Sequence, residues 1–148
     1  MQHEFHLTGS WSGARKGSGK IKAGNLEAEV SIPSSMNGSG VGTNPDEMLV
    51  GSAATCYIIT LGLMLERNKL PVKDLKINST GTVSEEGGLH FDKILHFPHI
   101  HLKSEATDAD VTKAKELARD AEQACMISKA LQGNVTISVS SKISVAEE

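Results

Sequence analysis

The chain has 148 residues, a formal net charge of −3, 22% charged residues and only 3% aromatic ones. That length suits a single domain built on one core, and residues 1–148 are read as such. The mixed charges and scarce aromatics exclude phosphate-neutralising or base-stacking nucleic-acid binding, and no basic patch marks a membrane surface.

The first residues, Met1-Gln2-His3-Glu4-Phe5-His6, contain neither the basic nor the apolar segment of a secretion signal, so a cytoplasmic location is expected. In that compartment the two cysteines are expected to be buried thiols or a redox pair, not a structural staple. The first third reads as strands. Phe5, Leu7 and Trp11 share one parity, and Leu26, Ala28, Val30 and Ile32 alternate with Glu27, Glu29 and Ser31. Between these runs, residues 12–19 form a turn rich in glycine and cations that includes Arg15. Residues 33–42 are a glycine- and serine-rich loop that delivers the chain to the next element.

That element, over residues 42–68, dominates the sequence. Asn44 can cap a helix, Pro45 suits its first position, and Glu47 follows the cap by three residues. Glu66-Arg67-Asn68-Lys69 brings cations to the other end of the dipole. From Met48 to Leu65 no residue is charged, and apolar or small side chains occur all round the wheel. This predicts a helix buried on most sides. Its length nears the roughly 20 residues of a spanning helix, but Gly51, Ser52, Ala53, Ala54, Thr55, Thr60 and Gly62 argue for a buried core helix. Cys56 lies at its centre.

After Pro71, Leu75, Ile77 and residues 80–83 predict a strand. Glu85-Glu86-Gly87-Gly88 predicts a turn, and residues 89–102 a returning strand pair broken at Pro98. Thr107 and Asp110 open a second helix, on which Val111, Ala114, Ala118, Ala121 and Cys125 form an apolar stripe. Gly133-Asn134 ends it, and Val135, Ile137, Val139, Ile143 and Val145 share the parity of a final strand.

The plain reading of two helical, apolar cysteines is that they are small buried hydrophobes. The sharper reading needs a cation near Cys56, because the thiolate is the nucleophile. Arg67 is the nearest helical cation, three turns away, so the cation must come from another segment. Val50, Tyr57, Ile59 and Leu63, with Met48, Met64 and Met126, offer an apolar lining for an alkyl chain. His96, His99 and His101 are expected to be solvated strand residues, not metal ligands. His99 and His101 share a face that His96 opposes unless Pro98 breaks the register.

Residues 42–48, Gly-Thr-Asn-Pro-Asp-Glu-Met, with the small-residue run to Cys56, resemble the first motif of the OsmC/Ohr proteins (osmotically inducible protein C and organic hydroperoxide resistance). Residues 124–134, Ala-Cys-Met-Ile-Ser-Lys-Ala-Leu-Gln-Gly-Asn, resemble their second cysteine motif, with Met126-Ile127 where the family commonly has proline and an apolar residue. The resemblance spans essentially the whole chain. It implies an α+β fold with strongly bent antiparallel sheets around a long central helix, in an intertwined homodimer. It also implies a peroxidase in which Cys56 attacks an organic hydroperoxide and becomes a sulfenic acid, Cys125 condenses with it to a disulfide, and an external dithiol such as dihydrolipoamide recharges the pair.

The family holds its thiolate with an arginine, itself held by a carboxylate. Residues 35–38 lack the arginine of the OsmC branch, so Arg15, in the glycine-rich turn as in the Ohr branch, is the match. Asp46 matches the carboxylate, with Glu47 beside it. No resident cofactor, metal, nucleic acid or membrane partner is implied. The competing reading is a non-catalytic stress protein of the same fold that binds small molecules or is merely redox-sensitive.

Overall fold

The computed structural model describes residues 1–148, which divide into two compact units, Met1–Met48 and Leu49–Glu148. In the first unit, strands β1 (Thr8–Ser12), β2 (Ser18–Ala23) and β3 (Leu26–Val30) form an antiparallel sheet in that order. The alternation of β3 is real: Ala28 and Val30 are half-buried while Glu27 and Glu29 are exposed. Gly13 turns the chain after β1 at φ 94°, a conformation that resists any side chain. Beyond β3, Thr43 pairs with the strand end by donating to the Glu29 carbonyl and accepting from the Ser31 amide. Gly42, at φ 67°, lies so close to the Glu29 carbonyl that a Cβ there would collide with it.

Helix α1 (Pro45–Arg67) starts as the sequence predicts. The Asn44 Oδ1 accepts from the Glu47 amide at 2.9 Å, and the Thr43 hydroxyl donates to Glu47 Oε1 at 2.9 Å. By length and composition α1 could cross a membrane. Within this chain, however, Ala53, Tyr57, Leu61 and Leu65, one residue per turn, form a stripe buried in the core. The expectation of burial on most sides is not met in the single chain. Ile59 and Leu63 are 57% and 47% exposed, because one sheet and one helix cover only one face.

In the second unit, strands β4 (Val72–Ser84) and β5 (His90–Leu102) make a long antiparallel pair with register shifts near both ends. Two short strands, β6 (Thr136–Val139) and β7 (Lys142–Val145), both join the other edge of β5 in parallel. Three sequence expectations are corrected here. This sheet is mixed rather than antiparallel. Residues 90–102 form one strand, not a pair, and its register with β4 runs unbroken through Pro98. The final strand is instead the one that breaks, at Ser140-Ser141, between the pairings His96 with Val139 and His99 with Lys142. The gap lies opposite Pro98, which has no N–H to offer the ladder, so an interior proline is tolerated.

Helix α2 (Asp108–Ala124) begins with a complete capping box. The Thr107 hydroxyl accepts from the Asp110 amide at 3.2 Å, and the Asp110 carboxylate accepts from the Thr107 amide at 2.9 Å. Its buried residues Ala114, Leu117, Ala118 and Ala121 meet Tyr57, Leu61 and Leu65 of α1 and Ile100 and Leu102 of β5 in one core cluster. The alanines let the helices approach closely, and each fully buried leucine contributes about 1.5–3 kcal/mol. The second helix does not run through Cys125. It stops there, and α3 (Met126–Leu131) restarts one residue later.

Thr107→Ala removes one capping acceptor and is expected to destabilise the protein by about 1 kcal/mol in urea unfolding, with the slope of the transition unchanged.

Candidate active site

Cys125 is both the C-cap of α2 and the N-cap of α3, with φ −70° and ψ 124°. The extended ψ takes one residue out of the helical path. The first amides of α3 thereby lose helical acceptors behind them and become free donors. The amides of Ile127 and Met126 are among the groups that favour the ionised form of Cys56. Cys56 packs against the core cluster that contains Cys125, so the structure brings the two free thiols into one neighbourhood.

The two sulfurs are unequal. Burial pushes the half-buried Cys56 thiol up, but hydrogen bonds from the Cys125 thiol and the Ile127 and Met126 amides outweigh it, and the net displacement is downward. Thr60 is within reach of the same sulfur, but its single proton goes to the Cys56 carbonyl at 2.8 Å. The amides and the second thiol are therefore the dependable donors. Cys125 is fully buried and moves the other way. Burial and then the Cys56 thiol push it up, only partly offset by Ser128 and the Ile127 amide. The structure thus supplies without a cation part of what sequence reasoning sought from one.

A second layer holds Cys56 in place. The neighbouring Tyr57 donates its hydroxyl to the Ala118 carbonyl at 2.6 Å, pinning α1 to α2. Burial, with Glu122 adding repulsion, pushes the Tyr57 hydroxyl well above its ordinary range, so it stays a neutral donor. Its ring stacks on His96 with centroids 4.8 Å apart and planes 17° apart. His96 Nδ1 is 2.6 Å from the Ser79 hydroxyl. Tyr57 is fully buried and belongs to the core, not to an open substrate lining as the sequence suggested. Val50 is half-buried and packs so tightly over Gly81 that a Cβ there would strike it and Phe91. Met126, the residue after Cys125, is 71% exposed.

Arg15 and Asp46 lie in the first unit. The Arg15 guanidinium is exposed and donates to the Met36 carbonyl at 3.1 Å, and no ion pair joins it to Asp46. Of the histidines, His96 is buried against α1, not solvated. His99 and His101 lie on the opposite face, where both contact the Ser144 hydroxyl at 2.7 and 3.3 Å. The three do not converge, and no group of three metal-ligating His, Cys, Asp or Glu side chains exists. Sequence reasoning missed the Met126 and Ile127 amides and the Tyr57–His96–Ser79 support. Backbone donors leave no residue-type signature, and His96 had only its inward strand parity to mark it.

Two neighbouring free thiols, Cys56 displaced downward and Cys125 upward, sit on an α+β frame with two sheets. The family model described as OsmC-like protein matches residues 36–140, and the chain belongs to this family. It is 46% identical over 147 residues to the uncharacterized protein YmaD of Bacillus subtilis, covering 99% of this chain and 98% of that one. It is 25% identical to the organic hydroperoxide resistance protein of Xanthomonas axonopodis pv. citri, covering 86% and 87%. The crystal structure of an organic hydroperoxide resistance protein OsmC from Legionella pneumophila shares the fold, with a TM-score of 0.75 at 21% identity over 95% of this chain and 99% of that one.

Burial holds the folded-state pKa of His96 below its unfolded value near 6.5. The unfolded chain therefore binds this proton first as pH falls. Stability from neutral His96 is complete above the unfolded pKa and declines as pH drops below it, at up to about 1.4 kcal/mol per pH unit. Urea unfolding between pH 8 and pH 5 should show this loss, and His96→Gln should flatten it.

Proposed function

We propose that this protein is a cysteine peroxidase for organic hydroperoxides. The observation that carries the reading is the unequal thiol pair, with Cys56 favoured as thiolate beside a protonated Cys125. The Cys56 thiolate attacks the distal peroxide oxygen and the O–O bond breaks. The alkoxide leaves and takes a proton as the alcohol, and Cys56 becomes a sulfenic acid. Cys125 then attacks that sulfur, losing its proton as hydroxide leaves as water, and a 56–125 disulfide forms. An external dithiol, with dihydrolipoamide the class the family resemblance suggests, returns both thiols at the cost of its own oxidation to a disulfide.

The opposite displacement of the two thiols supports the order of roles. The sulfur receiving donors is the nucleophile, and the fully buried one waits for an electrophile within reach. Met126 and Val50 are the proposed alkyl contacts, and each methylene buried adds about 0.8 kcal/mol, which favours organic over hydrogen peroxide. Arg15 is proposed as the cation that strengthens the thiolate in the assembled protein, with Asp46 as its carboxylate partner. The uncovered Ile59 and Leu63 of α1 support a homodimer packed across that helix face.

Cys56→Ser should abolish even the first turnover. Cys125→Ser should give one rapid turnover and then accumulate sulfenic and sulfinic acid at Cys56, read by mass spectrometry. Cumene hydroperoxide should react at least ten times faster than hydrogen peroxide. Arg15→Ala should slow the reaction at least tenfold, and Arg15→Lys should not restore it, because a two-pronged grip on carboxylate and sulfur needs the guanidinium. Both thiols remaining free after one equivalent of hydroperoxide would favour a non-catalytic role.

A further inference from the structure

Strand β5 places His99 and His101 two residues apart, so both side chains leave the sheet on the face opposite the one that buries His96. Their imidazoles are half-buried, with ring centroids 5.9 Å apart and planes inclined by 41°. Each turns a nitrogen to the same atom. His99 Nε2 is 2.7 Å and His101 Nδ1 is 3.3 Å from the Ser144 hydroxyl oxygen on β7. The other nitrogen of His101, Nε2, is buried without a partner, so Nδ1 is the one that faces the shared point. The Ser144 hydroxyl has one proton and can donate to only one of the two rings. The other ring must then turn an N–H toward it. The serine therefore never satisfies a lone pair on both converging nitrogens.

We propose that His99 and His101 form a chelate for a first-row divalent cation of the nickel, copper or zinc type, with the Ser144 hydroxyl beside it. The proposal is independent of the peroxidase reading. A cation takes both lone pairs at once, at about 2.0–2.1 Å from each nitrogen. Closing from the serine-bridged arrangement needs only small rotations of two partly exposed rings. The neighbours select the class of ion. Register sets Lys76 and Lys142 on either side of His99, and Asp74 and Ser144 on either side of His101. Asp74, Lys76 and Lys142 are exposed. Two lysines and one carboxylate do not make the oxygen-rich, negatively charged cage that calcium uses, nor the carboxylate site of magnesium. Imidazole nitrogens suit nickel, copper and zinc instead. The lysine stems are long enough to carry their ammonium groups into solvent and away from the ion. Two protein nitrogens are fewer than a resident zinc site uses, so water completes the shell and the ion exchanges freely.

The probe is nickel(II), which does not oxidise the thiols, titrated calorimetrically into the full-length reduced protein. The wild type should bind one equivalent. His99→Ala and His101→Ala should each weaken binding at least about tenfold, no less than losing an outer-shell partner costs a metal site. Cys56→Ser, which removes the competing soft ligand, should leave it unchanged. Equal binding by the wild type and a His99→Ala, His101→Ala double variant would overturn the proposal, and so would binding that disappears in Cys56→Ser. A second measurement needs no variant. Paramagnetic nickel should broaden the ring-proton NMR signals of His99 and His101 in the wild type before those of His3, His6 and His90. Earlier broadening of His3, His6 or His90, or no binding at all, would overturn it too.

Discussion

The departure of a single backbone angle from helical geometry, ψ 124° at Cys125, underlies the chemistry of the second unit. Had α2 continued, the amides of Met126 and Ile127 would be satisfied within the helix and unavailable to any sulfur. Breaking it there exposes them at the head of α3 and turns Cys125 toward α1. The cost is a set of carbonyls at the end of α2 and amides at the start of α3 that need other partners. Two of those amides favour the ionised form of Cys56, the proposed nucleophile. A thiolate accepts such bonds more strongly than a thiol, and this differential lowers the pKa.

Donors fixed to the backbone are useful only if the acceptor is held still. The Tyr57 hydroxyl on the Ala118 carbonyl locks α1 to α2 one residue from Cys56, and His96 backs the ring from the sheet. A buried hydrogen bond of this kind contributes about 1 kcal/mol net, and much more is lost if one partner is left unpaired. The alanines of α2 set the distance between the helices, which is why the stripe holds small residues where leucines would give more burial.

Much of this frame was legible from residue order. The Asn44–Pro45–Glu47 start of α1, the Thr107–Asp110 capping box and the alanine stripe carry local signals strong enough to survive tertiary context. Strand pairing was less legible. Whether residues 136–145 join β5 in parallel depends on which edge is free, a non-local matter. Pro98 misled because its tolerance depends on a gap in a neighbouring strand. The cysteines stood out by rarity, yet the break at Cys125 carried no glycine or proline to announce it. The histidines were misjudged because parity shows which face a side chain takes but not what covers that face.

The central claim is that the fold makes Cys56 the thiolate and keeps Cys125 a thiol. The direct measurement is the alkylation rate of each cysteine in the reduced wild-type protein as a function of pH, resolved by peptide mass spectrometry under native conditions. The account predicts that Cys56 titrates below the usual thiol pKa of about 8.5 and reacts first, while Cys125 titrates above it. Coincident titration of the two at the usual value, or a Cys125 that ionises before Cys56, would contradict it.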